Sequence, residues 1–133
     1  GDVYKRQVYI SREIKGADGK TEALEIDEDF DRAWRRVGVG LDRVGLNIED
    51  RDRSAGIYYI RYLDPDYEVK KRNDEGLFSR WFSKEKPVDA PLYRVKLVSD
   101  GNKTTVTAMP DSDKTDPLST SARILNLLQE QVR

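Results

Sequence analysis

Asp50-Arg51-Asp52-Arg53-Ser54-Ala55-Gly56 runs directly into Ile57-Tyr58-Tyr59-Ile60-Arg61-Tyr62. A charged, Gly-terminated turn is thereby joined to a residue run with strand alternation. Upstream, Phe30, Trp34, Val37, Leu41 and Val44 recur at spacings of four and three, which lines one face of a helix. A one-faced helix followed by a hairpin demands a sheet for the helix to cover, so the order predicts an α+β domain.

The 133 residues are enough for one domain with a single modest core. With 24 Lys plus Arg against 25 Asp plus Glu, the net charge is -1, which provides no global field to gather nucleic acid or to coat an anionic membrane. Nucleic acid is therefore not an expected partner. The chain has no His and no Cys. The usual metal ligands, thiol nucleophiles and imidazole bases are absent, and no metal or cofactor is expected. Cysteine usage is compatible with a reducing or an oxidising compartment.

No apolar run reaches the length of a membrane span, and no charged-then-apolar signal segment opens the sequence. Asp2-Val3-Tyr4-Lys5-Arg6-Gln7 looks like the translated end of a transposon used in preparing sequencing libraries, so residues 1–7 are read as a non-native adapter. Residues 8–20 read as a linker or a short hairpin strand, with Val8-Tyr9-Ile10 and Leu24-Glu25-Ile26 flanking a turn at Lys15 to Lys20. The domain proper then covers 21–133.

Within it, Asp29 is placed to cap the first helix and Gly45 to end it. Gly38 and Gly40 inside that helix each cost about 1 kcal/mol relative to Ala, which predicts close approach of the helix to a sheet. Leu46 and Ile48 begin a strand that returns through a turn at Arg51 to Ala55 into Ile57 to Leu63. Tyr93, Val95 and Leu97 alternate with Arg94 and Lys96, and Asp100-Gly101-Asn102 turns that strand into Thr104 to Met109. Four antiparallel strands follow. Asp116-Pro117 reads as the start of a last helix whose Leu118, Ala122, Leu125, Leu128 and Val132 share a face. Both helices should cover one side of the sheet.

Taken in order, Ala23-Leu24-Glu25-Ile26, Phe30-Asp31-Arg32-Ala33-Trp34, Leu41-Asp42-Arg43-Val44-Gly45, Glu49 to Ser54 and Tyr59-Ile60-Arg61-Tyr62, with the Gly76 to Ser79 insertion and a closing helix, resemble the C-terminal domain of the BamC outer-membrane lipoprotein family of the betaproteobacterial kind. The resemblance implies a helix-grip fold, an antiparallel sheet with two helices on one face. It also implies a parent with two such domains in tandem after a long lipidated N-terminal segment, anchored in the outer membrane. Relative to that plan, the lipid anchor, the N-terminal segment and the first grip domain are absent from this fragment. The family's main docking onto BamD runs through that segment, so this domain alone is not expected to bind BamD.

Three groups of residues invite a functional reading. Arg51 and Arg53 in the charged turn could offer forked donors to a carboxylate partner, against the plainer reading of a solvated hairpin. Tyr58, Tyr59, Tyr62 and Tyr93 could line a groove, although aromatic residues at strand period more often serve as core. The connection 64–91 is longer than the roughly 12–15 residues at which structureless loops become uncommon, and it carries Leu77, Phe78, Trp81 and Phe82. Its six basic residues are outnumbered by seven acidic ones, which argues against a polybasic membrane tether and toward a protein partner for that apolar cluster. The acidic run Glu25, Asp27, Glu28, Asp29 and Asp31 is accounted for by capping and helix-dipole preference. No spacing in it marks a paired general acid and base, so no catalytic residue is assigned. The expected function is that of a non-catalytic protein-interaction domain of an accessory lipoprotein in the outer-membrane β-barrel assembly machine. Its expected partners are the other subunits, met through the parent protein on the periplasmic or surface-exposed face. The alternative is a carrier of small apolar ligands, which would need an enclosed apolar pocket of several hundred Å3.

Overall fold

Phe30–Arg43 forms the first helix, α1, with Ala33, Trp34, Val37, Gly40 and Leu41 buried along one stripe. Asp29 caps it: its carboxylate accepts the Arg32 backbone N–H at 3.0 Å. At the other end Leu46 N–H donates to the Leu41 carbonyl and Gly45 N–H to the Asp42 carbonyl, both at 3.0 Å. This reciprocal pair needs a left-handed residue, which Gly45 provides at φ 78°. The buried Leu46 that follows clamps the exit against the core.

In the computed structural model, described for residues 10–62, 91–112, 116 and 119–132, the strands are β1 (Ser11–Lys15), β2 (Thr21–Ile26), β3 (Asn47–Asp52), β4 (Ile57–Arg61), β5 (Leu92–Asp100) and β6 (Lys103–Pro110). A second helix, α2, spans Thr120–Val132. The strands form one antiparallel sheet in the order β1-β2-β6-β5-β4-β3. The chain therefore builds one edge, crosses the sheet through α1, and fills in from the other edge. Both helices pack against the sheet and against each other, α1 over β3, β5 and β6 and α2 over β1, β2 and β6. The α+β architecture with two helices on one face is as expected.

The four expected antiparallel strands are present as β3 to β6, and β1 and β2 extend the sheet beside β6. Of the stretch before Thr21, Ser11–Lys15 forms β1 and pairs with β2, while residues 8 and 9 lie outside the described residues, and β5 and β6 join through Asp100↔Lys103 at the anticipated Gly101-Asn102 turn. The β3–β4 turn is shorter than the sequence suggests: Arg51 and Asp52 belong to β3, and only 53–56 turns.

The core lies between sheet and helices, where Leu24, Ile26, Val37, Leu41, Ile60, Val95, Val106, Ile124, Leu128 and Val132 lose all solvent exposure. The two helix glycines have different partners. A Cβ on Gly38 would stand 2.5 Å from the Tyr58 hydroxyl on β4, the helix-to-sheet approach expected. On Gly40 it would meet Leu128 Cδ1 at 2.8 Å, so that glycine admits α2 and not the sheet.

The last helix starts later than Asp116-Pro117 implied. Asp116 still caps it, from a turn upstream: its carboxylate accepts N–H bonds from Thr120 at 3.0 Å and Ser121 at 2.9 Å. It also accepts the Tyr93 hydroxyl at 3.2 Å, tying α2 to β5. Of the face assigned to this helix, Leu125, Leu128 and Val132 are buried, Ala122 is half-buried and Leu118 lies outside the described residues, while Ile124, not assigned to it, is fully buried.

Candidate functional site

Arg51 reaches its position through one extra residue. Ile48 pairs with Ile60, but Asp50 pairs with Tyr59, so Glu49 is inserted as a bulge in β3. Strand side chains alternate in direction, and the inserted residue turns over everything after it. Without the bulge Asp50 would oppose the inward-facing Tyr58; with it, Arg51 does. The Arg51 guanidinium accordingly lies 5.9 Å from the centre of the Tyr58 ring, on the helix-covered side of the sheet.

The turn beyond is held by its own polar groups. The Asp52 carboxylate accepts the Ser54 hydroxyl at 2.8 Å and the Ala55 N–H at 3.2 Å, and these bonds hold its pKa below the ordinary carboxylate value. Gly56 closes the turn at φ 73°, and a Cβ there would stand 2.5 Å from the Leu97 carbonyl oxygen, so conformation and space both require glycine. This order aims Arg53 across to α1, where its guanidinium binds the Asp31 carboxylate at 2.5 Å.

Between α1 and this hairpin runs an open trough. Its floor is a stack of rings, Trp34 on Tyr58 with centroids 4.0 Å apart and planes at 15°, and Phe30 5.6 Å beyond Trp34. The Tyr58 hydroxyl donates to the Trp34 carbonyl at 2.7 Å. Burial pushes the Tyr58 phenol above its ordinary pKa, with Arg51 and Arg53 pulling the other way, so it stays a donor. Asp31, Arg35 and Val39 of α1 and Arg51 and Arg53 of the hairpin line a depression of about 250 Å3 over this floor. A second depression, about 490 Å3, continues past Arg51 between Asp42, Gly45, Leu46, Asn47 and Ile48.

The structure thus brings Arg51 and Arg53 to the same place. Leu77, Phe78, Trp81 and Phe82 lie outside the described residues. Tyr58 and Tyr93 are buried, as the plainer reading held, while Tyr59 is half-buried on the opposite sheet face, opposite Arg94. Arg35 and Val39 were not singled out by sequence. The one hint was Val39, an apolar residue out of phase with the buried stripe of its helix.

The acidic run is committed mainly to ion pairs, where capping and dipole preference alone had been expected. Glu25 and Asp27 bind Arg12 at 2.6 and 3.2 Å, Glu28 binds Arg36 at 2.6 Å, Asp31 binds Arg53, and only Asp29 caps. The Arg36 hydrogen bond holds the Glu28 carboxyl below its ordinary pKa, the opposite of what a general acid needs. Among the described residues no group of three or more carboxylates could hold a metal ion, and no helix is long and apolar enough to cross a membrane.

The profile of the outer membrane protein assembly factor BamC-like C-terminal domain matches residues 13–132, from within β1 to the end of α2. The chain belongs to this family. The outer membrane protein assembly factor BamC of Accumulibacter regalis is 42% identical over 122 residues, covering 90% of this chain and 31% of that protein. BamC of Thiobacillus denitrificans is 41% identical over 126 residues, covering 92% and 34%. BamC of Pseudoalteromonas atlantica is 28% identical over 104 residues, covering 75% and 26%. The chain spans about a third of the length of the BamC relatives it matches at 41–42% identity. The family profile takes in the whole trough, since β3, its bulge and α1 all fall inside the matched residues.

Proposed function

We propose that the chain is a non-catalytic protein-interaction domain of an accessory lipoprotein in the outer-membrane β-barrel assembly machine. Membership of the BamC-like family supplies the setting: a parent protein lipid-anchored at the outer membrane, exposed to the periplasm or the surface, and in contact with other subunits of the machine. The observation that carries the interaction role is Arg51, turned by the Glu49 bulge into an open trough where it has no ion-pair partner among the described residues. Bulges that re-aim a side chain are concentrated beside functional sites. The space between helices and sheet, where a carrier would hold its ligand, is filled by side chains with no solvent exposure. That favours surface recognition over ligand carriage.

The apolar cluster Leu77, Phe78, Trp81 and Phe82 is proposed as a second contact element, on its sequence alone: four large apolar side chains among balanced charges suit a protein groove better than an anionic membrane.

Affinity purification of the tagged full-length parent from outer membranes, beside the same parent without this domain, tests the reading. At least one assembly subunit should be depleted when the domain is removed; equal recovery of every subunit would refute the proposal. Replacing all four cluster residues by Ser should lower recovery while leaving the denaturation midpoint in place. A large loss of stability with unchanged recovery would return the cluster to the interior.

A further inference from the structure

Resting on the interaction role proposed above, we infer that the trough between α1 and β3 receives an acidic segment of a partner protein, with carboxylates on Arg51 and Arg35 and an apolar side chain laid over Val39. Asp31, Arg35, Val39 and Asp42 follow one another at helical spacing along the flank of α1 that faces the hairpin, and Arg51 lines both depressions. The two hollows adjoin at Arg51, and the inferred track runs along both. A helix of 14 residues offers about 21 Å of such flank, the reach of a peptide segment rather than of a small molecule.

Charge decides the occupant. The hollow above the aromatic floor is lined by three guanidiniums and one carboxylate, and that carboxylate is already bound to Arg53. Arg35 and Arg51 have no ion pair among the described residues. Arg51 also lies over the Tyr58 ring, 5.9 Å from its centre, and its forked donors are exposed to the trough. Forked donors of this kind match a carboxylate in a two-bond geometry. Val39, between them on α1, is 48% exposed and supplies the apolar surface. At the far end Asp42 lines the second hollow, so the track runs from positive to negative, and the occupant's acidic part belongs at the Arg35–Arg51 end. The chain's overall charge of -1 and the carboxylates in the lining make a polyphosphate or an anionic lipid surface the poorer match.

The test uses the full-length parent in its own membrane, with a benzophenone-bearing amino acid in place of Val39 or, as control, of Lys96 on the uncovered sheet face. Mass spectrometry reads the cross-linked segment after irradiation. Position 39 should capture a protein segment containing Asp or Glu next to an apolar residue. Arg51→Gln together with Arg35→Gln should cut that yield by about tenfold, as expected for the loss of charge-assisted bonds, with unchanged thermal melting of the isolated variant. Capture of lipid or of a segment without carboxylates, a yield no higher than at Lys96, or a yield indifferent to the two Arg substitutions would each overturn the inference. The domain-removal experiment is independent of it: subunits lost on removal with no acidic cross-link at position 39 would leave the interaction role standing and this site refuted.

Discussion

The two flanks of α1 are treated oppositely. On one, Gly40 lets α2 come so close that a single added carbon would stand 2.8 Å from Leu128 and 3.3 Å from both Gln131 and Val132. On the other, Val39 stands half in solvent over a trough, with Arg35 on one side and Arg51 across from it. A helix needs only one apolar stripe to fold against a sheet. The sealed flank is what the fold requires, and the open one is surface on which the fold makes no such demand.

Trp34 belongs to both flanks, since it is buried in the core and floors the trough, and its replacement should have the largest effect. Trp34→Ala is expected to cost about 3–5 kcal/mol, for the cavity and the lost stacking on Tyr58 and Phe30. Urea denaturation measures it, and a cost under about 1 kcal/mol would mean that the ring stack is not a supporting element. Next comes the sealed flank. Gly40→Leu should cost about 1–3 kcal/mol from overpacking, even though leucine is the better helix former. A neutral or stabilised variant would show that α2 can retreat and that the flank is not sealed.

How far these features could be foreseen depends on whether they are local. The stripe of α1 announced itself because five apolar residues at spacings of four and three fit no other element, and the β5–β6 hairpin because its turn residues are specific. β1 was harder to see. Ser11-Arg12-Glu13-Ile14-Lys15 is an edge strand with one large apolar side chain, 40% exposed, and only its pairing with β2 makes it a strand. The same holds for the site. Arg51 and Arg53 were visible as charged residues beside a turn, but the face they occupy is set by the Glu49 bulge, a property of pairing between two strands and not of either sequence alone. Arg35 and Val39 joined the site only because the hairpin folds back beside them.

Asp116 governs whether the sealing helix is held at its start. Burial alone would raise its pKa, but hydrogen bonds from Ser121, Thr120 and Tyr93 outweigh that and hold it below the usual carboxylate value. Its contribution is present above the ordinary carboxylate range and is lost as pH falls through the lowered value. Asp116→Ala should cost about 0.5–2 kcal/mol at neutral pH, the usual worth of a cap, and should flatten the acid limb of the stability profile. Equal pH profiles for the two proteins would mean that α2 is positioned without its cap, by core side chains such as Ile124, Leu125, Leu128 and Val132.

The smallest expected effect is the sharpest test of the difference between the flanks, because it sits two residues from a large one. Val37 has no exposure and packs in the core, whereas Val39 is 48% exposed over the trough. Val37→Ala should therefore lose about 1–2 kcal/mol of burial and packing. Val39→Ser should stay within about 0.5 kcal/mol, since a surface position away from caps and core rarely costs more. The same helix, the same parent residue and nearly the same backbone position cancel most other differences between the two substitutions. If Val39→Ser proved as costly as Val37→Ala in the isolated chain, the trough would be covered from within the domain itself, and the flank would be a second sealed face with no room for a partner.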